Sequence, residues 1–507
     1  MYRYFFLLVM SILYVCANGQ TYDINLNTTM VKSNGAFKKG ENVKLTRCIH
    51  RFIKTDNDEN HEEFLVEDDN QNRIEINSKL GNCLSFEYTN IQDLWDSKII
   101  TNVLHNITKK GSQYEMRKDM EDEALEYIQQ VKKYGGELDD PYLESYIYSL
   151  VGKIAPQKLI DGRPCSINLL IQKSPNINSG TYPNGTIVIS TGLLASLHSE
   201  DELVAILAHE ISHFVLDHSV LNVNKAISRK KRAEFWATLA TGLTAVAETY
   251  AATKNKNYAP GLATAAVATL ATQIGSSVID HLGMKYNHEQ EEEADKVAIQ
   301  ALKILGYDAN ALATALSRIE KYYESERLNV AYFDSYTHPA LVERIKNCGT
   351  ANSEVNRDFE KMVSFAVTNV AEMKYADKRF HQCIPYVAQN IDNNVATAAD
   401  YILMANCLLN TQNSYESNSK AICYIQKAKE ISDNDLSIYK SEIIAKLRLG
   451  DNAQAVSLIN NYISSLNNYS YGINNILNDD IWAYTSEFVE RESSWAKKML
   501  IKLNNMN

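Results

Sequence analysis

The sequence lacks features that are typical of several classes of protein. Its 507 residues include 8 cysteines and no Cys-x-x-Cys pair, so a dense disulfide scaffold is excluded. Acidic residues outnumber basic ones by 62 to 51, and the formal net charge is −11. This charge lacks the basic footprint of nucleic-acid-binding proteins, so we expect no nucleic acid partner. The apolar fraction of 45% and the charged fraction of 22% are ordinary for a globular protein.

The apolar run at the N-terminus is too short for an ordinary membrane-spanning helix. It extends from Tyr4 to Val15, follows a single cation at Arg3 and precedes small residues. This order is typical of a secretory signal peptide, and we predict one over residues 1–19. The mature protein would then work in the periplasm or outside the cell. Lipid attachment at Cys16 and a retained anchor are the alternatives.

A second region to weigh against a membrane is residues 235–279, which are rich in Ala, Thr and Gly. Residues 259–279 contain no charged side chain, as a membrane helix would require. They contain few Leu, Ile or Phe, however, so the segment is only weakly apolar. Close packing of helices through small-residue faces is the favoured interpretation, and membrane association is the alternative.

Residues 20–95 predict a small β domain. Short alternating runs such as "NVKLTRCIHRFI", "EEFLVED" and "NRIEIN" are separated by Asn, Asp and Gly, which is the pattern of strands joined by turns. The sequence gives no indication of what this domain does.

Residues 355–507 contain a spacing typical of helical repeats. When "KAICYI" is aligned with "QAVSLI", Ala421 pairs with Ala455 and Ile425 with Ile459, each 34 residues apart. This is the period of a tetratricopeptide helix pair. We therefore predict a tetratricopeptide-like domain with a surface for a client or partner protein. A helical bundle without repeats is the alternative.

The segment "LVAILAHEISHFVLDHS" places ionisable side chains in an otherwise apolar helix. Ser199 and Glu202 predict its start, as an N-cap and the third residue of a capping box. His209 and His213 are four residues apart, so both imidazoles leave the same face and can reach one zinc ion. Glu210 lies about 100° around the helix, where it can hold a zinc-bound water. This is the His-Glu-x-x-His arrangement of metallopeptidases.

A catalytic zinc requires a third protein ligand. His218 is near in sequence, but on a continuing helix it would lie opposite His209, so we do not expect it to bind the metal. Farther along, "YNHEQEEEADKVAIQAL" contains Glu291 and Asp295 on one helix face. The spacing alone does not separate a third ligand at Glu291 from a solvated acidic helix face.

Five segments in order resemble one family. "NSGTYPNGTIVISTGLL", "HEISHFVLDH", "YNHEQEEEAD", "LGYDANAL" and "THPALVERI" are similar to the successive motifs of the HtpX and prenyl-protease type of zinc metallopeptidases, peptidase family M48. The resemblance covers residues 110–350. It implies one zinc ion per chain and three zinc ligands: His209, His213 and Glu291.

The resemblance also implies roles for four further residues. Glu210 would be the general base. Asp295 would accept a hydrogen bond from a ligand histidine. His338 would stabilise the oxyanion of the reaction or cap the zinc in a resting state. Arg344 matches a structural arginine of the family.

The chain departs from the family at two places. Asn287-His288 replaces the usual Ser-Arg before the glutamate motif, and Asn178-Ser179-Gly180 replaces the Asn-Ala-Phe of the edge strand. In the family an edge strand lies beside the zinc helix, and a peptide can add itself to such an edge. We predict that the substrate lies along five residues: Thr186, Ile187, Val188, Ile189 and Ser190.

Together these observations predict an α+β chain that is mainly helical. A zincin-type, gluzincin-like peptidase domain over residues 110–350 would follow the β domain of residues 20–95 and precede the helical repeats of residues 355–507. The predicted function is a secreted or periplasmic zinc metalloendopeptidase, with protein or peptide substrates, in envelope protein quality control. The alternatives are a chaperone-like assembly factor with a latched zinc site, and a membrane-embedded protease that uses residues 235–279.

Overall fold

The structure is a computed structural model. It describes residues 19–35, 37–52, 60–68, 70–76, 83–103, 112–133, 135–223, 284–326, 341–432, 436–475 and 486–505. Three predictions fall outside these residues: the signal peptide except for its last residue, the small-residue segment 235–279, and His338.

The described strands form two sheets. The strands are β1 (Gly19–Met30), β2 (Asn42–Phe52), β3 (Asn60–Glu67), β4 (Arg73–Ile76), β5 (Leu84–Phe86), β6 (Asn168–Gln172), β7 (Ser179–Thr181) and β8 (Thr186–Ser190).

The described helices account for most of the rest of the chain, and the prediction of a mainly helical α+β protein is confirmed. The helices are α1 (Ile91–Lys98), which continues into a π-helical turn (Ile99–Val103), α2 (Ser112–Lys133), α3 (Pro141–Ile154), α4 (Thr191–Leu194), α5 (Glu200–Val215), α6 (His218–Val223), α7 (His288–Leu305), α8 (Ala311–Ser325), α9 (Leu341–Cys348), α10 (Arg357–Met362), α11 (Ser364–Ala376), α12 (Phe380–Asp392), α13 (Ala398–Thr411), α14 (Tyr415–Ile431), α15 (Leu436–Arg448), α16 (Asn452–Asn475) and α17 (Ser486–Asn504). None of these helices is both long enough and apolar enough to cross a membrane.

The N-terminal sheet is antiparallel, with strand order β4-β3-β2-β1-β5. Along β1, Tyr22, Ile24 and Leu26 are buried and alternate with exposed residues, as expected for a sheet with one face on a core. That core is continuous with the core of the following helices. Trp95 of α1 is buried in this shared core, and its indole N–H donates a hydrogen bond of 2.7 Å to the carbonyl of Ile154 at the end of α3.

The second sheet corrects one sequence prediction. Its strand order is β6-β8-β7, so β8, the strand of Thr186–Ser190, is central rather than at an edge. Asn168 of β6 pairs in parallel with Thr186, and Ser179 of β7 pairs antiparallel with Ile189. All five residues of β8 are buried. The prediction that a substrate adds to β8 is wrong, because both of its hydrogen-bonding edges are already paired.

Helices α11 to α17 pack successively, each against the next. The four positions that carry the 34-residue spacing (Ala421 and Ile425 on α14, Ala455 and Ile459 on α16) are all fully buried. The 34-residue spacing therefore joins equivalently buried positions, and the repeat itself stays a prediction. Val363 and Val367 also pack into the main core, so the first residues after the predicted domain boundary contact the preceding domain.

A buried ion pair fixes the end of α8 against α11. The ammonium of Lys374 lies 2.7 Å from a carboxylate oxygen of Glu326, and the two side chains are 1% and 6% exposed. Lys374 also lies over the ring of Tyr322, and Arg379 contacts the second oxygen of Glu326. Burial lowers the pKa of Lys374, while Glu326 counters that effect.

Removal of one partner should therefore destabilise the protein strongly. We expect Glu326→Gln to lower the free energy of unfolding by about 3 kcal/mol, because Lys374 would remain buried without its counter-charge. The double variant Glu326→Gln/Lys374→Met should lose less than the single variant. Urea unfolding measures both effects. The matched control is Lys361→Met, because Lys361 forms an exposed pair with Asp358 and should contribute less than about 1 kcal/mol. Equal losses in Glu326→Gln and in the control would contradict the prediction.

Candidate metal centre

Helix α5 brings two histidines into the core. The hydroxyl of Ser199 accepts a hydrogen bond from the backbone N–H of Glu202 and begins the helix. His209 and His213 follow on one face, 3% and 1% exposed. Their Nε2 atoms are 3.0 Å apart. Two imidazole nitrogens that face each other within an apolar core require a bound proton or a metal ion between them.

Helix α7 brings a carboxylate to the same point. Asn287 caps α7 through a complete capping box with Gln290, and Glu291 follows with no exposed surface. Its two oxygens lie 3.3 Å from Nε2 of His213 and 3.6 Å from Nε2 of His209. Donors bound tetrahedrally to zinc at 2.0–2.1 Å are separated by about 3.3 Å. The spacing and the donor types of these three residues fit a zinc ion, and they are a candidate metal-binding group among the described residues.

The far nitrogen of His209 is held by a carboxylate. Its Nδ1 lies 2.9 Å from Asp295, so Nδ1 carries the proton and Nε2 keeps its lone pair for a metal. Arg344 binds both oxygens of Asp295 at 2.7 and 2.8 Å, and its third nitrogen lies 2.6 Å from Glu291. Burial alone would raise the pKa of Asp295, but the charge of Arg344 and hydrogen bonds from Arg344 and His209 lower it below its usual range.

The charges of this group also fit a divalent cation. Glu210, Glu291 and Asp295 carry three negative charges when ionised, and Arg344 supplies one positive charge. All four side chains are buried, and buried charge is costly unless it is balanced. A divalent ion would neutralise the two negative charges that remain.

The ring of His213 is fixed by an aromatic contact. Tyr286, which precedes α7, stacks on it with a centroid distance of 3.6 Å and an interplanar angle of 11°. The hydroxyl of Tyr286 forms a hydrogen bond with Ser219. Burial lowers the pKa of His213 well below its usual value, which favours the neutral imidazole that can bind a metal.

Glu210 lies beside the group and is tied to strand β7. The hydroxyl of Ser179 donates a hydrogen bond of 2.6 Å to its carboxylate, and the hydroxyl of Thr181 donates one of 3.0 Å to its backbone carbonyl. Both hydroxyls come from one face of β7, because alternate strand residues share a face. Ser179 occupies one of the positions where the chain departs from the family, and its role was not predicted from the sequence.

His218 is outside the group of three whose donor atoms converge, as expected, but the reason given from the sequence is wrong. Helix α5 does not continue past Leu216. Asp217 adopts a φ of 63° and turns the chain back, a conformation that glycine usually provides. His218 therefore faces the metal group from behind His213 rather than from the opposite side of a helix.

Known proteins resemble this part of the chain. Residues 141–351 match the model of peptidase family M48. This part of the chain is therefore similar to family M48. A putative beta-barrel assembly-enhancing protease of Vibrio cholerae is 26% identical over 198 residues, which are 39% of this chain and 37% of that protein. The beta-barrel assembly-enhancing protease of Escherichia coli is 25% identical over 196 residues, 38% of this chain and 36% of that protein.

A shorter match is closer in sequence. The mitochondrial metalloendopeptidase OMA1 of Bos taurus is 46% identical over 46 residues, 9% of each chain. The matched part therefore spans well under half the length of each of these relatives. The range that matches the family begins at α3 and ends just after α9, so it contains His209, Glu210, His213, Glu291, Asp295 and Arg344. His338 is within the matched range but outside the described residues.

Proposed function

We propose that the protein is a zinc-dependent metalloendopeptidase. The observation that carries this proposal is the convergence of His209, His213 and Glu291 at distances that fit one zinc ion, with Glu210 beside them. Family M48 and the names of the two bacterial relatives support the peptidase activity.

The bound zinc ion would supply a Lewis acid that lowers the pKa of a water molecule towards 7 and polarises the scissile carbonyl. Glu210 would accept a proton from the attacking water and pass it to the leaving amine. Asp295 and Arg344 would keep His209 in the tautomer that binds the metal. His338 would stabilise the developing oxyanion, a role taken from the resemblance alone.

The substrate would add to β7 rather than to β8. Hydrogen bonds from Ser190 to Asn178 and from Tyr182 to Thr186 occupy one edge of β7. Backbone groups of an antiparallel strand alternate between its two edges, so those of Ser179 and Thr181 point away from β8. No described strand covers that edge. An extended peptide on this edge would lie next to Glu210, which the same two residues hold.

The setting of the activity is also a proposal. The predicted signal peptide supports export, and the names of the bacterial relatives support a role in envelope protein quality control. The buried 34-residue spacing supports a client or partner on the helices after residue 355.

The role of Glu210 is tested by Glu210→Gln. We expect this variant to bind zinc as the wild type does but to cleave casein about 10²–10⁴-fold more slowly, because the general base is lost. The matched control is Glu324→Gln, an exposed position on α8 that should leave cleavage unchanged. Full zinc occupancy with equal cleavage in both variants would exclude the proposed base.

Binding along β7 is tested with N-methylated peptides. In a fluorogenic peptide that the protein cleaves, N-methylation of successive residues should lower kcat/KM with a period of two. Each backbone hydrogen bond lost should cost about 0.5–1.5 kcal/mol, or roughly 2–12-fold. A loss that does not alternate along the peptide would contradict strand addition.

A further inference from the structure

Behind the metal group lies a second chain of hydrogen bonds, formed by residues to which the family resemblance gave no role. Nδ1 of His213 is 2.8 Å from Nδ1 of His218. On the far side of the same ring, Nε2 of His218 is 3.3 Å from a carboxylate oxygen of Glu293. His218 is 2% exposed, so its ring nitrogens need hydrogen-bond partners within the protein, and these two residues provide them.

The carboxylate at the end of this chain fixes every proton in it. A carboxylate can only accept, so Nε2 of His218 must donate to Glu293. The Nδ1 atom of the neutral His218 ring is then an acceptor, and Nδ1 of His213 must be the donor to it. This leaves Nε2 of His213 without a proton, and that is the nitrogen that faces His209 and Glu291.

Several elements hold these hydrogen-bonded side chains in place. The φ of 63° at Asp217 directs His218 back towards His213. Asp217 is bound by Arg117 of α2 and lies 3.5 Å from Arg163. Glu293 also accepts a hydrogen bond from the amide of Asn102, in the π-helical turn after α1. The N-terminal part of the polypeptide therefore contacts the metal centre through Glu293.

We propose that His218 and Glu293 are positioning residues for the metal ligand His213. Glu293 sets the tautomer of His218, and His218 sets the tautomer and ring orientation of His213. This is the carboxylate–histidine–metal arrangement with one imidazole inserted. The proposal rests on the zinc site proposed above and deepens it.

Zinc affinity, measured by competition with a chelator, tests the proposal. The variants are Glu293→Gln, His218→Phe and the double variant. We expect each single variant to bind zinc about 10–100-fold more weakly, as is usual when such supporting partners are lost. Because Glu293 acts through His218, the double variant should bind no more weakly than His218→Phe alone. Additive losses, or wild-type affinity in both single variants, would overturn the proposal.

Two controls separate positioning from general effects. Glu292→Gln removes a charge from the neighbouring residue, which pairs with Lys296 in solvent, and should leave zinc affinity unchanged. A loss of affinity equal to that of Glu293→Gln would assign the effect to net charge and overturn the proposal. Asp295→Ala, on the other ligand histidine, should weaken zinc binding about 10–100-fold and shows that the assay detects such losses.

A further variant tests whether the loss of zinc affinity in His218→Phe comes from misfolding. In His218→Asn, the side-chain oxygen can still accept from Nδ1 of His213, so affinity should recover at least partly relative to His218→Phe. The melting temperature in EDTA reports folding without metal and should be similar in all variants. If His218→Phe melts at a much lower temperature than the wild type, Glu293→Gln is tested in the His218→Asn variant instead. A further loss of zinc affinity on adding Glu293→Gln to that variant would overturn the proposal. Absence of zinc from the wild type would instead refute the proposed zinc site itself.

Discussion

The burial of three carboxylates (Glu210, Glu291 and Asp295) with the one guanidinium of Arg344 is the constraint that organises this structure. Arg344 contacts both Glu291 and Asp295, and all of these side chains lie in the core. Buried charges are stable only when each finds a counter-charge and hydrogen bonds. The single positive charge of Arg344 can balance one carboxylate, although its guanidinium contacts two. A divalent cation between His209, His213 and Glu291 would meet the rest.

The surrounding elements are arranged to satisfy this group. Helix α5 supplies both histidines and Glu210, α7 supplies Glu291 and Asp295, and α9 supplies Arg344. Strand β7 attaches to Glu210 through the hydroxyls of Ser179 and Thr181. The polar atoms that face away from the metal position are hydrogen-bonded as well, which is what holds ligands at fixed distances. The same α5–α7 pair lies in the apolar core that continues into the N-terminal sheet.

Residue spacing alone predicted the local part of this site, and the family resemblance was needed for the non-local part. The four-residue spacing of His209 and His213 on a capped helix is a local pattern, so the sequence alone predicts it. Glu291 is far along the chain, and its choice depended on the family resemblance, because an acidic helix face gives the same pattern. The fold class followed from strand and helix periodicities.

Two failures have specific physical causes. The order β6-β8-β7 is set by long-range pairing, which alternation along β8 does not reveal, and so a central strand was taken for an edge. The turn at Asp217 places a non-glycine residue at positive φ, where Arg117 and Arg163 hold it. Aspartate adopts positive φ more readily than most residues, but nothing in the local sequence places that conformation at Asp217, and so His218 was assigned to the wrong side. Ser179 was noticed only as a departure from the family, because its partner Glu210 is distant in sequence.

The most direct test of this account is X-ray absorption at the zinc edge of the purified protein, together with its zinc content. The account predicts one zinc per chain, bound only by nitrogen and oxygen at about 2.0–2.2 Å, with the signature of two imidazoles. Sulfur at about 2.3 Å would mean that cysteines bind the metal. That result, or a chain that retains no zinc, would contradict a centre built from His209, His213 and Glu291.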